Sequence, residues 1–472
     1  MSGSDPAHGA QQGAERELSG WGRIGASRAA VARPANVEQA AAAIADGVRA
    51  GRAIIARGAG RSYGDAAQSN GGLVLDMTGM DRVVAVDQDA MTVTAQAGAT
   101  LAALMTRLSA HDMTLPVVPG TRYVTLAGAI ASDIHGKNHH RDGAFARHVQ
   151  AITLLTAAGE VLELSAEQHG ELFFSTLGGM GLTGVIIQAT IRAERLSSAW
   201  VAEDLDRTNG LEQTLELVGS EEPRRYSVAW LDMLADGPRM GRAIVSRADP
   251  MPADATPPRS APGASGHASY PGSLLRAPAL QIPRRVPGGV LRPSLVRAFN
   301  AARWRASPRS ERGRPLEVTP YFFPLDGVGA WNRLYGPDGF IQYQFALPTG
   351  EVRALRRCFQ VLRKLPVCLA VFKRFGPRFG GPLSFPIEGW TLAVDIPGAA
   401  PGLRASLDRL DDVVAQAGGR VYLSKDIRLH RDHLRTMYPE LENFRTQQTG
   451  VDPDGVVRSD LGTRLGLCGE AL

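Results

Sequence analysis

"PGTRYVTLAGAIASDIHGKNHH", residues 119–140, sets Gly120, Thr121, Thr125, Ala127, Gly128, Ala129, Ala131 and Ser132 within fourteen positions. Side chains this small let a large planar or phosphorylated ligand lie against the backbone. The stretch closes on His135, Lys137, His139 and His140. Those four residues raise three readings, a metal site, a catalytic base and a polar turn. Upstream, "RGAGRSYGD" (57–65) follows the strand-like "AIIA" (53–56), and main-chain N–H groups in such a loop can meet phosphates. It is not a P-loop, because no GK[ST] follows. Nor is it a GxGxxG fingerprint, because Gly58, Gly60 and Gly64 are spaced otherwise and no helical pattern follows. Alone it is also what a tight turn looks like. Two such loops on one mixed region suit a flavin dinucleotide.

The surrounding pattern is mixed α and β. Asn36 with Gln39 reads as a capping box, and Val37, Ala40, Ala41, Ile44 and Val48 recur at helical spacing until Gly51. "GLVLDM" (72–77) continues as strand, residues 83–98 as two strands about a polar turn, and 101–110 as a helix. Residues 151–165 predict a further strand pair. The run 171–196 predicts a helix, a glycine turn and a long strand. After residue 200, "VAWLDM", "GRAIVSRA", "GFIQYQFALP", "LAVFKRFG" and "GWTLAVDIP" read as strands, with a helix over 405–417 and then "RVYLSKD". A polar tail is expected to close the chain. Residues 249–315, rich in Pro, Arg, Gly and Ser, are expected to form a mobile excursion. Within it Leu291, Leu295, Phe299 and Ala302 share one helical face, with Arg292, Arg297, Arg303 and Arg305 nearby. That fits an interfacial amphipathic helix or one packed on the protein's own second domain.

At 472 residues the chain exceeds one ordinary core. With 44% hydrophobic and 21% charged residues it has a globular composition, and no run of about eighteen apolar residues is present to span a bilayer. The first residues lack an apolar segment and a twin-arginine pair, so 1–19 reads as a disordered leader and residence in the cytoplasm follows by default. Cys358, Cys368 and Cys468 show no CxxC spacing, which argues against a disulfide framework or structural zinc. Net charge is +5, and residues 281–314 hold nine arginines against Glu311 alone. No nucleic-acid partner is expected.

The two small-residue loops, with "GGMGLTGVI" (178–186), resemble the FAD-binding domain of the vanillyl-alcohol oxidase, or PCMH-type, flavoproteins. "GWGR", "LYGPDGFIQYQF", "VFKRFGP", "PLSFPIEGW", "GGRVYLSKD", "MYP" and "SDLGTRLGL" extend the likeness from Gly20 to the end, outside the Pro/Arg-rich excursion. Within that family the chain resembles the oxidases of polyprenylphosphoryl ribose in the actinobacterial cell-wall arabinan pathway. The resemblance implies an α+β, two-domain PCMH-type fold. An FAD domain would span 20–199 and a substrate domain on an antiparallel sheet 200–419, with 420–472 returning to the FAD domain.

The same resemblance implies the site. FAD would be held by Ala56, Arg57, Gly58, Ala59, Gly60, Arg61, Ser62, Tyr63, Gly64, Asp65 and Ala66 from the first loop. From the second would come Gly120, Thr125, Leu126, Ala127, Gly128, Ser132, Asp133, Ile134 and His135, joined by Ile187 and Tyr422. Many relatives tether the flavin through a histidine where this chain has Arg61, and some add a cysteine near Arg122, so noncovalent FAD is expected. Hydride would leave C2' of the ribosyl ring for the flavin. Lys425 would steady the anionic reduced flavin, and His135, with Tyr63 as relay, would be a candidate base. Lys137, Gln342, Gln344, Lys373, Thr391 and Ala393 would face the substrate. Mycobacterial relatives carry cysteine in the strand after "GW", where this chain has Thr391 and Ala393. Expected partners are a polyprenyl-phosphate sugar, the membrane surface and an NADH-dependent keto-reductase acting on the product. A periplasmic position would need a carrier partner.

Three alternatives stand beside this. Zinc on His135, His139, His140 and Asp133 has poor spacing and no HExxH pair, so no metal is expected. A flavin enzyme of a soluble alditol or sugar lactone would leave the basic excursion without a role. A nonenzymatic flavin-binding protein would follow if that excursion covered the pocket permanently.

Overall fold

Asn36 starts the helix Val37–Arg49 by accepting from Gln39 N, while the Gln39 side chain accepts from Ala35 N, one residue further back than a capping box requires. The helix ends before Gly51, which takes φ +64°. Its Ala40, Ala43, Ile44 and Gly47 are buried beside a four-stranded sheet ordered Glu15–Ser19, Ala26–Ala32, Leu73–Asp76, Ile54–Arg57. The computed structural model describes residues 14–220, 224–252, 274, 277–286, 288 and 290–468.

A second, five-stranded antiparallel sheet runs Val83–Asp87, Thr92–Gln96, Val185–Arg192, Val149–Leu155, Val161–Ser165. It shares an apolar core with the helices Leu101–Ser109 and Leu126–Ala131. The third sheet has eight antiparallel strands, ordered Ser310–Glu317, Trp200–Arg207, Ala243–Pro250, Tyr226–Leu231, Leu369–Phe375, Gly389–Pro397, Phe340–Pro348, Arg420–Val421. The helices Val352–Leu362 and Leu403–Gln416 bury Leu355, Phe359, Leu407 and Leu410 in the core on one of its faces.

Three sequence expectations need correction. The leader drawn to residue 19 is ordered from Glu15, whose strand pairs antiparallel with Ala26–Ala32; residues 1–13 lie outside the described residues. The excursion drawn over 249–315 contains a helix, Pro293–Ala306, and an edge strand, Ser310–Glu317, while 253–273 lie outside the described residues. That strand, "SERGRPLE", has no apolar alternation because ion pairs hold it: Arg314 meets Glu203, Arg312 meets Asp206, and Gly313 N donates to Asp204. Pro315 is tolerated because an edge strand can spare one N–H.

The polar tail is also structured. Its short helices Arg431–Met437, Leu441–Val451 and Asp460–Leu465 bury Leu434, Met437, Tyr438, Leu441, Phe444, Leu461 and Leu465. Helices this short show too few apolar positions for a period to stand out. This segment joins both halves. Arg420 and Val421 pair with Phe340–Pro348, whereas Val457 bridges Ile54 and Asp460 accepts from Asn70 N at 2.8 Å.

Candidate active site

Strand alternation builds one wall of the site. Gln342 stands opposite Asp395, Gln344 and Val371 opposite Ala393, and Lys373 opposite Thr391, so all seven side chains leave one face of the large sheet. Facing them are the loop 56–67, the segment 119–135, the turn at Gly181 and Gly184, and Tyr422 to Lys425. The cleft between encloses about 320 Å³.

The first two loops are locked together by contact. A Cβ on Gly58 would fall 2.1 Å from Thr125 Oγ1, so only glycine fits there. Thr125 in turn caps Leu126–Ala131 by accepting from Gly128 N. Trp21 N donates to Ser62 O at 2.8 Å, and Tyr63 N donates to Ser424 O at 2.9 Å. Arg61 lies over the Trp21 ring, 4.1 Å from its centroid.

Of the expected residues, Ala56, Arg57, Gly58, Ala59, Gly60, Arg61, Ser62, Tyr63 and Ala66 line the cleft. So do Gly120, Thr125, Ala127, Gly128, Ser132, Ile134, His135, Gln342, Gln344, Lys373, Ala393, Tyr422 and Lys425. Seven others sit elsewhere. Gly64 packs on Asp426 O, and Asp65 binds Arg464 through both oxygens at 2.9 and 3.0 Å. Leu126 and Asp133 are fully buried, and the Asp133 carboxylate accepts from Ala146 N. Ile187 points into the core while Ile186 lines the cleft; a register shift between Ile186 and Gln188 places this alternation. Thr391 stands behind Gln344. Lys137 turns away, donating to Tyr321 O with its Nζ 3.8 Å from the Tyr321 ring centroid.

The charged groups are tuned by burial. Lys373 donates to Gly136 O at 3.2 Å, and burial, with Lys425 and Lys137 nearby, pulls its pKa down to about 7. Burial also lowers Lys425, to about 8, against the opposing pull of Asp395. Asp395 is raised by burial to about 6, and accepts from Gln342 Nε2 and from Tyr335 OH. Burial, then Asp395, raises Tyr63, which stays a neutral phenol. His135 is pushed well below its usual value by burial and by Lys373 and Lys425. Asp326 is the one acid among the described lining residues, and it pairs with Arg122 at 3.5 Å.

The cleft is chemically unfinished without a ligand. His135 Nδ1, Arg61 Nε, Gln342 Oε1 and Gln344 Oε1 are buried without a hydrogen-bond partner, a costly state unless something else supplies one. The backbone at Gly120 borders open space. Small residues, cations and unsatisfied amides fit a flavin dinucleotide. The histidines diverge: His139 Nδ1 accepts from Gly376 N, and His140 Nε2 contacts Arg224 O. Among the described residues no three His, Cys, Asp or Glu side chains gather as metal ligands.

Sequence reasoning missed Asp395, Leu369 and Val371, although Asp395 and Val371 each lie two residues from one it named, so strand parity carried the signal. Trp21 lay within the quoted "GWGR". Nothing local marks Asp326, whose role depends on Arg122 being brought beside it.

Residues 28–165 match the FAD binding domain family. The chain is 39% identical over 458 residues, 96% of its length and 98% of the relative's, to a decaprenylphosphoryl-beta-D-ribose oxidase of Mycolicibacterium smegmatis. It is 34% identical over 187 residues, 40% of this chain and 42% of the relative, to an L-gulono-1,4-lactone dehydrogenase of Mycobacterium tuberculosis. Among solved structures, a variant of the BBE-like 1 protein of Physcomitrella patens matches with TM-score 0.64 over 92% of this chain and 90% of that chain, at 16% identity. That last likeness is one of fold alone.

Proposed function

The chain belongs to the family of decaprenylphosphoryl-β-D-ribose oxidases, and from that membership we propose that it oxidises the 2'-hydroxyl of decaprenylphosphoryl-β-D-ribose to the 2'-ketone. It is an FAD-dependent oxidoreductase acting on a CH–OH group. The observation that carries the substrate reading is identity over nearly the full length of the relative, substrate sheet included. The likeness to the lactone dehydrogenase covers only 40% of the chain and carries less.

Bound FAD supplies the acceptor for the hydride leaving C2'. The residues of the chain do the rest. Gln342 Nε2 is committed to Asp395 and Gln344 Nε2 to Thr391 and His135, so both amides turn their free carbonyl oxygens to sugar hydroxyls. Lys425, held cationic near neutral pH beside Asp395, offsets negative charge developing in a water-poor cleft. His135 has its Nε2 lone pair engaged, so the hydroxyl proton goes to Lys373, whose lowered pKa leaves a neutral amine available. Burial lowers both lysines, but Asp395 supports the charge of Lys425 whereas the charges acting on Lys373 are other cations, and that difference divides the work between them.

The ketone is the first half of an epimerisation to decaprenylphosphoryl-arabinose for arabinan, which an NADH-dependent keto-reductase would complete. The polyprenyl tail places the reaction at a membrane surface. Among the described residues no helix is long and apolar enough to cross a membrane. The test is whether decaprenylphosphoryl ribose, and not free ribose or gulonolactone, reduces the bound flavin.

A further inference from the structure

The helix Pro293–Ala306 is anchored on one side and apolar on the other. Asn300 Nδ2 donates to Asp232 Oδ1 at 3.0 Å, Trp304 Nε1 donates to Thr208 O at 2.9 Å, and Val296 is buried. On the opposite side Leu295 and Phe299 are 59% and 61% exposed. With 3.6 residues per turn, Leu295, Ala298, Phe299, Ala302 and Ala306 fall on one stripe, and Arg292, Arg303 and Arg305 border it. All five stripe residues are exposed. A helix whose own packing is satisfied on its far side does not need this face for folding.

Its place relative to the cleft follows from strand register. Val371 lines the cleft and stands opposite Trp230, which stands opposite Ile244, which stands opposite Arg207. Directly paired residues share a face, so all four leave the cleft side of the sheet. The helix covers this row: Arg303 lies 5.0 Å from the Trp230 ring centroid, and Arg207 lies 4.2 Å from that of Trp304. The apolar stripe therefore stands beside the cleft, on its side of the sheet.

We propose that the outer face of Pro293–Ala306 docks on an anionic phospholipid bilayer, delivering the cleft to a lipid-linked substrate. The inference rests on the polyprenyl substrate read above and goes beyond it by naming the surface. Charge selects the partner. Of the nine arginines in residues 281–314, Arg297, Arg312 and Arg314 pair with Asp236, Asp206 and Glu203, while Arg284, Arg285, Arg292, Arg305 and Arg309 are exposed. Apolar side chains ringed by arginine suit the boundary between acyl chains and anionic headgroups.

Cosedimentation of the FAD-loaded full chain with vesicles tests this without any substrate, so its failure is distinct from failure of the substrate reading. Vesicles of phosphatidylcholine with phosphatidylglycerol should bind the chain, and phosphatidylcholine alone should bind it weakly. Leu295→Glu with Phe299→Glu should reduce binding at least about tenfold, while flavin content and turnover of a water-soluble, short-prenyl substrate analogue stay unchanged. If that variant loses flavin, Phe299→Trp replaces it, and added anionic vesicles should shift its emission to the blue, beyond any shift of the native chain. Equal binding by native chain and double variant, no binding to anionic vesicles, or no such shift in the Phe299→Trp chain overturns the proposal. Self-association through this face without vesicle binding would also overturn it.

Discussion

Gln344 Nε2 lies 3.0 Å from His135 Nε2 and 3.0 Å from Thr391 Oγ1, and the Thr391 hydroxyl itself donates to Phe345 O. The hydroxyl is thus an acceptor toward Gln344, which fixes the amide nitrogen toward both partners. The imidazole must accept at Nε2 and carry its proton on Nδ1. His135 positions Gln344; it has no lone pair free for a substrate proton. His135→Gln should therefore lower kcat by less than about tenfold and leave the pH profile in place, where loss of a general base costs about 10²–10⁴. A loss in that larger range, with the acidic limb of the profile gone, would return the role of base to His135.

Lys425 should separate cofactor binding from turnover. Lys425→Met is expected to keep its flavin spectrum and lose about 10²-fold or more in kcat. Asp395 holds up the Lys425 pKa and is itself held by Gln342 and Tyr335. Asp395→Asn should then move the basic limb of kcat to lower pH, by about one unit. Stopped-flow flavin reduction across pH reads both effects.

Lys373 should leave a mark on stability. Its folded pKa of about 7 lies below the unfolded value of about 10.4. Between them the unfolded chain binds the extra proton, so stability rises with pH over that window and is lost as pH falls through 7. The slope is at most about 1.4 kcal/mol per pH unit for one group. Urea unfolding of flavin-free chain at pH 7, 8 and 9 should show this rise, and Lys373→Met should reduce it most between pH 7 and 8, below the range in which Lys425 and Lys137 add their own rise.

Cofactor attachment and inhibitor chemistry follow from which side chains border the cleft. His135 is the single histidine among the described lining residues and no cysteine joins it, and Arg61 rests on Trp21. Acid precipitation should leave yellow FAD in solution and a colourless pellet. Ala393 lies opposite Gln344 on the cleft wall. Compounds that capture a thiol there should form no adduct, as intact mass would show.

The FAD domain was legible because its signals are local: small-residue loops after short strands, and helices with caps. The sheet wall of the cleft was half legible. Gln342 and Gln344 alternate along Phe340–Pro348 and Lys373 lies on Leu369–Phe375, but the parity that joins them to Asp395 and Val371 needs the register between strands, which no single segment contains. Lys137 shows the limit of motif reasoning. It sits two residues from His135, yet packing against Tyr321, distant in the chain, turns it out of the cleft. The excursion hid a strand because arginine–carboxylate pairs across Trp200–Arg207 replaced the apolar alternation that marks strands.

The most direct test is anaerobic titration of the purified yellow protein with decaprenylphosphoryl-β-D-ribose, followed by visible absorbance. Bleaching of the flavin band by one equivalent, with the 2'-ketone recovered and no bleaching by free ribose or gulonolactone, is the predicted result. Bleaching by a soluble lactone while the lipid-linked sugar leaves the flavin oxidised would contradict the account.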